Sequence, residues 1–211
     1  MKFKREKKAR KAVKLYKNIF KFHAPYLVLL DGTFCQSAVT QKLDVRERIS
    51  SYIDSEVTCC TTSCIIAELE KLGDSTYHAK LSAKKLQMRH CEHRENPVSA
   101  VECIKSLINK PEKGRFFVGT QDEELKTHLR KVPGIPLFYI HKNIIVLDKP
   151  SKVTMDKIDE ISSARMEVPV SEKPSTINVE VKTKSSLPRT RQKRKSKGPN
   201  PLSCKKKKTK A

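Results

Sequence analysis

Residues 25–36 read PYLVLLDGTFCQ, a run of five apolar side chains at 26–30 that stops at Asp31-Gly32. The run does not alternate apolar with polar, so it suits a central parallel strand covered on both faces. Parallel neighbours require crossover connections, so the flanking sequence should alternate strand and helix. Residues 41–53 place Leu43, Val45, Ile49 and Ile53 at helical spacing, and 57–60 form a brief strand candidate. Thr61, Thr62 or Ser63 can then cap a helix that begins near Cys64 and ends at Gly73. A helix with many small residues is expected over 75–89, an irregular excursion over 90–97 (HCEHRENP), and a helix over 98–109 with Val98, Val101, Ile104, Leu107 and Ile108 on its apolar face. Residues 116–118 read as a strand, 122–131 as a helix, Pro133-Gly134 as a turn, and 137–140 and 143–147 as strands, the second an edge hairpin partner. This order predicts an α/β three-layer sandwich with a central, mostly parallel sheet. The body should end between 150 and 165, with one more helix over 152–166.

The charge is concentrated at the ends. Lysine and arginine number 45 against 23 acids, a formal net charge of +22. Residues 1–21 carry +9 and residues 171–211 carry +12, which leaves +1 for the 149 residues between them. A near-neutral body with two cationic extensions points to a polyphosphate partner, from which both ends would release counterions. An anionic membrane surface and a plain nuclear-localisation role are the alternatives. No apolar run approaches the ~20 residues of a bilayer span, and MKFKREKKARKAVK leads into no apolar signal core, so neither membrane insertion nor secretion is expected. Residues 1–21 hold a broken apolar stripe (Ala9, Ala12, Val13, Leu15, Tyr16, Ile19, Phe20) within a basic helix or arm. The domain division expected is an arm at 1–21, a body at 22–160 and a basic tail at 161–211, mostly disordered because its Pro/Ser/Thr/Lys sequence cannot offset its ordering entropy.

Two sets of side chains carry candidate chemistry. Asp31 closes the first strand, Glu68 lies in a helix, and Asp122 follows the 116–119 strand with Glu124 beside it. Ligands of open α/β sheets collect beyond the carboxyl ends of the strands, where carboxylates can hold Mg²⁺ or Mn²⁺ and neutralise a phosphodiester in flight. Acids at helix starts are equally favoured by the macrodipole, so Asp122 also reads as a simple cap. Separately, Cys91, His93 and Cys103 offer thiolate and imidazole, the donor types zinc prefers. Cys59, Cys60, Cys64 and His90 compete for a fourth position, and burial in the core explains any single cysteine as well.

The stretches PYLVLLDGTFCQ (25–36), CTTSCIIAELEKLG (60–73) and VGTQDEELKTHLRKVPGIPLFYI (118–140), with GPNPLSCKKKK at 198–208, resemble a family of PIN-like ribosomal-RNA-processing factors of the small-subunit processome. The resemblance implies a PIN-like sheet whose acidic edge falls on Asp31, Glu68 and Asp122. Active relatives often continue D-x-D, and here the last position is Glu124, which implies a degenerate nuclease. It further implies a structural CCHC zinc site at Cys64, Cys91, His93 and Cys103, a site spanning 64–103 of the body. Partners implied are pre-rRNA, an H/ACA small nucleolar RNA and processome proteins, in the nucleolus of the nucleus, with a role in early pre-rRNA cleavage and 18S rRNA maturation. An active endoribonuclease and a protein scaffold with basic targeting ends are the other functions left open. The RNA contacts expected from the basic residues are Lys4, Arg5, Lys7, Lys8, Arg10 and Lys11 in the arm, Lys84, Lys85 and Arg89 before the excursion, Arg94 within it, and Lys126, Arg130 and Lys131 after Asp122.

Overall fold

The apolar run at 26–30 is strand β1 (Tyr26–Leu30), with Val28, Leu29 and Leu30 at most 1% exposed. It pairs in parallel with β2 (Val57–Thr62) on one side and β4 (Phe116–Gly119) on the other. Beyond β2 lies the short parallel strand β3 (Gln87–Arg89), and beyond β4 the parallel β5 (Leu137–His141), which turns back into antiparallel β6 (Ile144–Leu147). The six-stranded sheet has the order β3-β2-β1-β4-β5-β6. This computed structural model describes residues 2–93, 95–110 and 114–166, side chains from Arg5 to Ala164. The basic tail beyond 166, Arg94 and the Lys4 side chain lie outside the described residues.

The connections are helices, as parallel strands demand. After α1 (Lys2–Phe20) come α2 (Gly32–Thr40), α3 (Val45–Ile53), α4 (Ser63–Lys71), a 3₁₀ turn at Gly73–Thr76, α5 (Tyr77–Lys84), α6 (Ala100–Ile108), α7 (Glu123–Arg130) and α8 (Lys152–Met166). Two elements depart from the expected order. Residues 32–40 form a helix where none was expected, since Gly, Thr, Ser and Val are weak helix formers; burial of Phe34, Cys35 and Ala38 overrides that weakness. The helix expected over 75–89 stops at Lys84, and Gln87–Arg89 instead pairs with β2 through Cys60↔Gln87 to Thr62↔Arg89. Among the described residues no helix is long and apolar enough to cross a membrane.

Where the basic arm was expected to stand apart, α1 builds part of the core. Ala9, Ala12, Val13, Tyr16 and Phe20 are buried, and Tyr16 is only 1% exposed. Its ring lies 5.8 Å from Phe22 and 6.3 Å from Phe117, and Phe117 also contacts Tyr26 and stacks on Phe138 at 5.6 Å. The apolar stripe that looked broken by lysines is continuous in three dimensions because the lysines occupy the other faces of the helix. Gly134 shows how tight this packing is. Its φ is +82°, and a Cβ there would come within 2.5 Å of the Phe20 ring. Helix α8 also packs on the body: Thr154 and Ile158 are buried, and the Gly134 amide donates to Thr154 Oγ1 at 3.2 Å.

A packed α1 has a measurable consequence. Tyr16→Ala should destabilise the chain by about 3 kcal/mol, whereas Lys14→Ala on the exposed face should change it by less than about 0.5 kcal/mol. Urea unfolding followed by circular dichroism measures both; equal stability of the two variants would mean that α1 is not part of the core.

Candidate metal centre and carboxylate edge

Strand β2 ends at Thr62, whose Oγ1 accepts the Ile65 amide at 3.4 Å and so starts α4 without a loop. This places Cys64 in the first turn of the helix, fully buried. Ser99 caps α6 through the Glu102 amide, which sets Cys103 on the buried face of that helix. The Cys103 thiol donates to the same Thr62 Oγ1 at 3.4 Å. The excursion after β3 then returns Cys91 and His93 to this point. One donor atom from each of Cys64, Cys91, His93 and Cys103 lies within 4.8 Å of all the others.

The chemistry of the group fits a tetrahedral ion. Four donors around zinc at the usual 2.3 Å Zn–S length imply sulfur–sulfur separations of about 3.8 Å, and Cys64 Sγ lies 3.8 Å from Cys91 Sγ. His93 Nδ1 is buried with no hydrogen-bond partner. Buried polar nitrogens are rarely left so, and a cation nearby would give this side of the cluster a role. Burial pushes the Cys64 thiol up and the Cys103 thiol up to about 12. For Cys91 burial acts the same way, but hydrogen bonds from Ser63 and the His93 backbone outweigh it and hold the thiol below its ordinary value. Three thiols this close cannot ionise together unaided; a divalent cation would release their protons. The rival cysteines are packing groups. Cys60 donates to the Val28 carbonyl at 3.4 Å, and burial pushes Cys59 and Cys60 up to about 11 and 12. His90 turns its Nδ1 to the Cys91 carbonyl at 2.8 Å.

The carboxylates stand at the same edge of the sheet, engaged in hydrogen bonds. Asp31 is 3% exposed. Its Oδ1 accepts the Gly32 amide at 2.7 Å, and its Oδ2 accepts the hydroxyls of Thr33 at 2.6 Å and Thr120 at 2.9 Å. Burial raises the Asp31 pKa and the nearby Glu68 charge adds to the rise, while the three hydrogen bonds oppose it. Glu68 Oε2 accepts the Ala100 amide at 2.7 Å, at the start of α6. Asp122 Oδ1 accepts the Glu124 amide at 2.8 Å and caps α7. Glu124 itself is exposed. Among the described residues, the Cys/His group is the one set of three or more such donors at ligand distance, and the four carboxylates are not drawn together in that way. No sequence signal marks Thr33 and Thr120 as partners of Asp31, although Thr120 directly follows β4.

The expected RNA-contact residues divide into two kinds. Lys126 is buried, 2.6 Å from Glu123 and over the Tyr139 ring, and Arg130 is bound to Asp148 and Glu123. Lys126 and Arg130 are therefore tied into an ion-pair network, open to solvent at Glu123, that joins α7 to Asp148 just after β6. Arg89 lies over Phe116, Lys84 pairs with Glu70, and Arg10 pairs with Asp54. Arg5, Lys7, Lys8, Lys11, Lys85 and Lys131 are exposed.

Known proteins share this architecture. A family model described as Fcf1 matches residues 51–149, and one described as the UTP23 sensor motif matches residues 190–209. The chain is 32% identical over 232 aligned residues to "rRNA-processing protein utp23" of Schizosaccharomyces pombe, covering all of this chain and 89% of that protein. It is 30% identical to "rRNA-processing protein FCF1 homolog" of Homo sapiens over 118 residues, 55% of this chain and 58% of that one. Among solved structures, that of the PIN domain endonuclease Utp24 superposes with a TM-score of 0.55 at 27% identity, covering 63% of this chain and 98% of the other. With the sheet order, the strand-end acids and these likenesses together, the chain belongs to the Fcf1/UTP23 family of PIN-domain proteins.

Proposed function

We propose that this chain is an RNA-binding assembly factor of ribosomal RNA processing, built on a PIN domain that does not cleave. The observation that carries the reading is its full-length likeness to an rRNA-processing protein, combined with an acidic edge whose carboxylates serve the fold. Both Asp31 oxygens accept hydrogen bonds, and Glu68 and Asp122 each hold a helix start. Phosphoryl transfer needs negative groups free to gather cations where charge develops, and Glu124 in place of a second Asp lengthens the reach on one side. Mg²⁺ or Mn²⁺ at Asp31, Glu68 and Asp122 would supply charge neutralisation for RNA cleavage, and that active-endonuclease reading is the runner-up because of the likeness to Utp24.

RNA binding falls to exposed cations, with Lys7 and Lys14 on α1 and Lys85 and Lys131 on the body as contacts. In this reading the factor works in the small-subunit processome, in the nucleolus of the nucleus. It contacts pre-rRNA and an H/ACA small nucleolar RNA, and supports early pre-rRNA cleavage and 18S rRNA maturation. Zn²⁺ held by Cys64, Cys91, His93 and Cys103 has a structural role, since four protein ligands leave no open position for substrate. It would join α4, the excursion and α6.

Four outcomes are expected. Elemental analysis of the purified chain should give about one zinc per molecule, and Cys91→Ser should lose the metal together with cooperative unfolding; a folded, zinc-free wild type would refute the centre. Structured RNA incubated with Mn²⁺ should remain intact with wild type and with Asp31→Asn alike, while cleavage that disappears in Asp31→Asn would establish the endonuclease. Asp31→Ala, which strands three donors, should cost about 1–3 kcal/mol. In gel shifts, removing Lys7, Lys14 and Lys85 should weaken binding across unrelated RNAs and reduce the slope of log K against log salt by about one per contact removed. An unchanged slope would favour a protein scaffold whose basic ends serve only targeting.

A further inference from the structure

One flank of α1 does not close against the sheet. A trough of about 650 Å³ runs between its Arg5, Lys8, Ala12 and Leu15 and the segment from β6 to the start of α8. It shares Arg5, Tyr52 and Val146 with a second pocket of about 280 Å³. Small side chains at Ala9 and Ala12 open the trough on the helix side. Met155 in the trough and Ile144 in the second pocket are 38% and 41% exposed, two of the large apolar side chains that the body leaves in solvent.

The polar groups of the trough are already committed. Tyr52 is hydrogen-bonded to the Leu147 backbone, the Lys126 ammonium sits over the Tyr139 ring, and Asp148 is held by Arg130. What remains is an apolar floor beneath four exposed cations, Arg5, Lys8, Lys11 and Lys149. A volume of this size takes a few side chains, and the complementary ligand carries apolar anchors with carboxylates beside them. A nucleobase would find an aliphatic floor, with one aromatic face already covered, and few groups to read its edges. The chain's own segment 171–211 carries +12 and would be repelled by the same rim.

We propose that this trough docks an acidic peptide segment of a partner protein, anchored by apolar side chains in the manner of a helix or strand laid into a groove. Lys7 and Lys14 do not line the trough, but both neighbour its rim residue Lys11 along α1, so the test includes competition with RNA.

The test is selection of a twelve-residue peptide-display library on the full-length chain, followed by fluorescence anisotropy with the enriched peptides. Enriched sequences should combine Asp or Glu with Leu, Ile, Phe or Met. Their affinity should fall about tenfold, the equivalent of about 1.4 kcal/mol, in Lys8→Glu and again in Met155→Asp. Leu81→Asp, an exposed apolar position elsewhere on the body, should leave it unchanged. Both test positions are exposed, and circular dichroism verifies that each variant folds. Enrichment of peptides lacking acids, indifference to Met155→Asp, or no enrichment at all, as when the chain's own tail fills the trough, would overturn the proposal. So would competitive displacement of the peptides by poly(U) RNA with crosslinks at Tyr139, which would give the trough to RNA.

Discussion

The parallel pairing of β1 with both its neighbours fixes everything this protein can do at its working edge. Leu29 stands opposite Cys60 and Leu30 opposite Gly119, so three strands end at one level. The residues at or just beyond those ends are Asp31, Thr62 to Cys64, and Thr120 to Asp122. Close packing enforces the alignment: a Cβ on Gly119 would lie 2.7 Å from the Leu30 side chain. A slip of β4 would separate Asp31 from Thr120, and a slip of β2 would shift Thr62 and the start of α4 along that edge.

Two uses of polar side chains meet at that edge. Helix starts leave backbone amides without partners, and Asp31, Thr62, Glu68, Ser99 and Asp122 all accept from such amides. A carboxylate that satisfies a helix start is less available to a cation, so local folding competes with a nuclease-type metal site. The thiol cluster lies on the other side of the same competition. Its donors cap nothing essential, converge from α4, α6 and the excursion, and repel one another on ionising. An ion at that point would resolve the repulsion and link three segments that are distant in sequence.

The legibility of the sequence varied with how local each signal was. YLVLL announced a doubly covered strand because burial on both faces leaves no alternation, and helices such as 100–108 showed their apolar faces at the proper spacing. The helix at 32–40 was hidden because its stability comes from Phe34 and Cys35 reaching the core, a tertiary effect. Strand β3 is three residues at an edge and carries no pattern of its own. The side chains of Lys126 and Arg130 looked free because Glu123 and Asp148 become their partners only after α7 packs beside β6. At the metal cluster, C-x-H…C alone was a weak motif with four rivals for the last place; the family likeness pointed to Cys64, and the capping of α4 by Thr62 explains physically why it arrives there. The apolar stripe of α1 was seen, but its density of lysines argued for an arm, and only the Tyr16–Phe22–Phe117 contacts reveal it as core.

The central claim is that this edge holds a cation at sulfur and nitrogen, and uses its carboxylates to build the fold. Anomalous diffraction from crystals grown with zinc and soaked in Mn²⁺ tests it most directly. The account predicts a zinc peak among Cys64, Cys91, His93 and Cys103 and no manganese peak at Asp31. A manganese peak bridging Asp31 and Asp122, with the thiols bare, would contradict it.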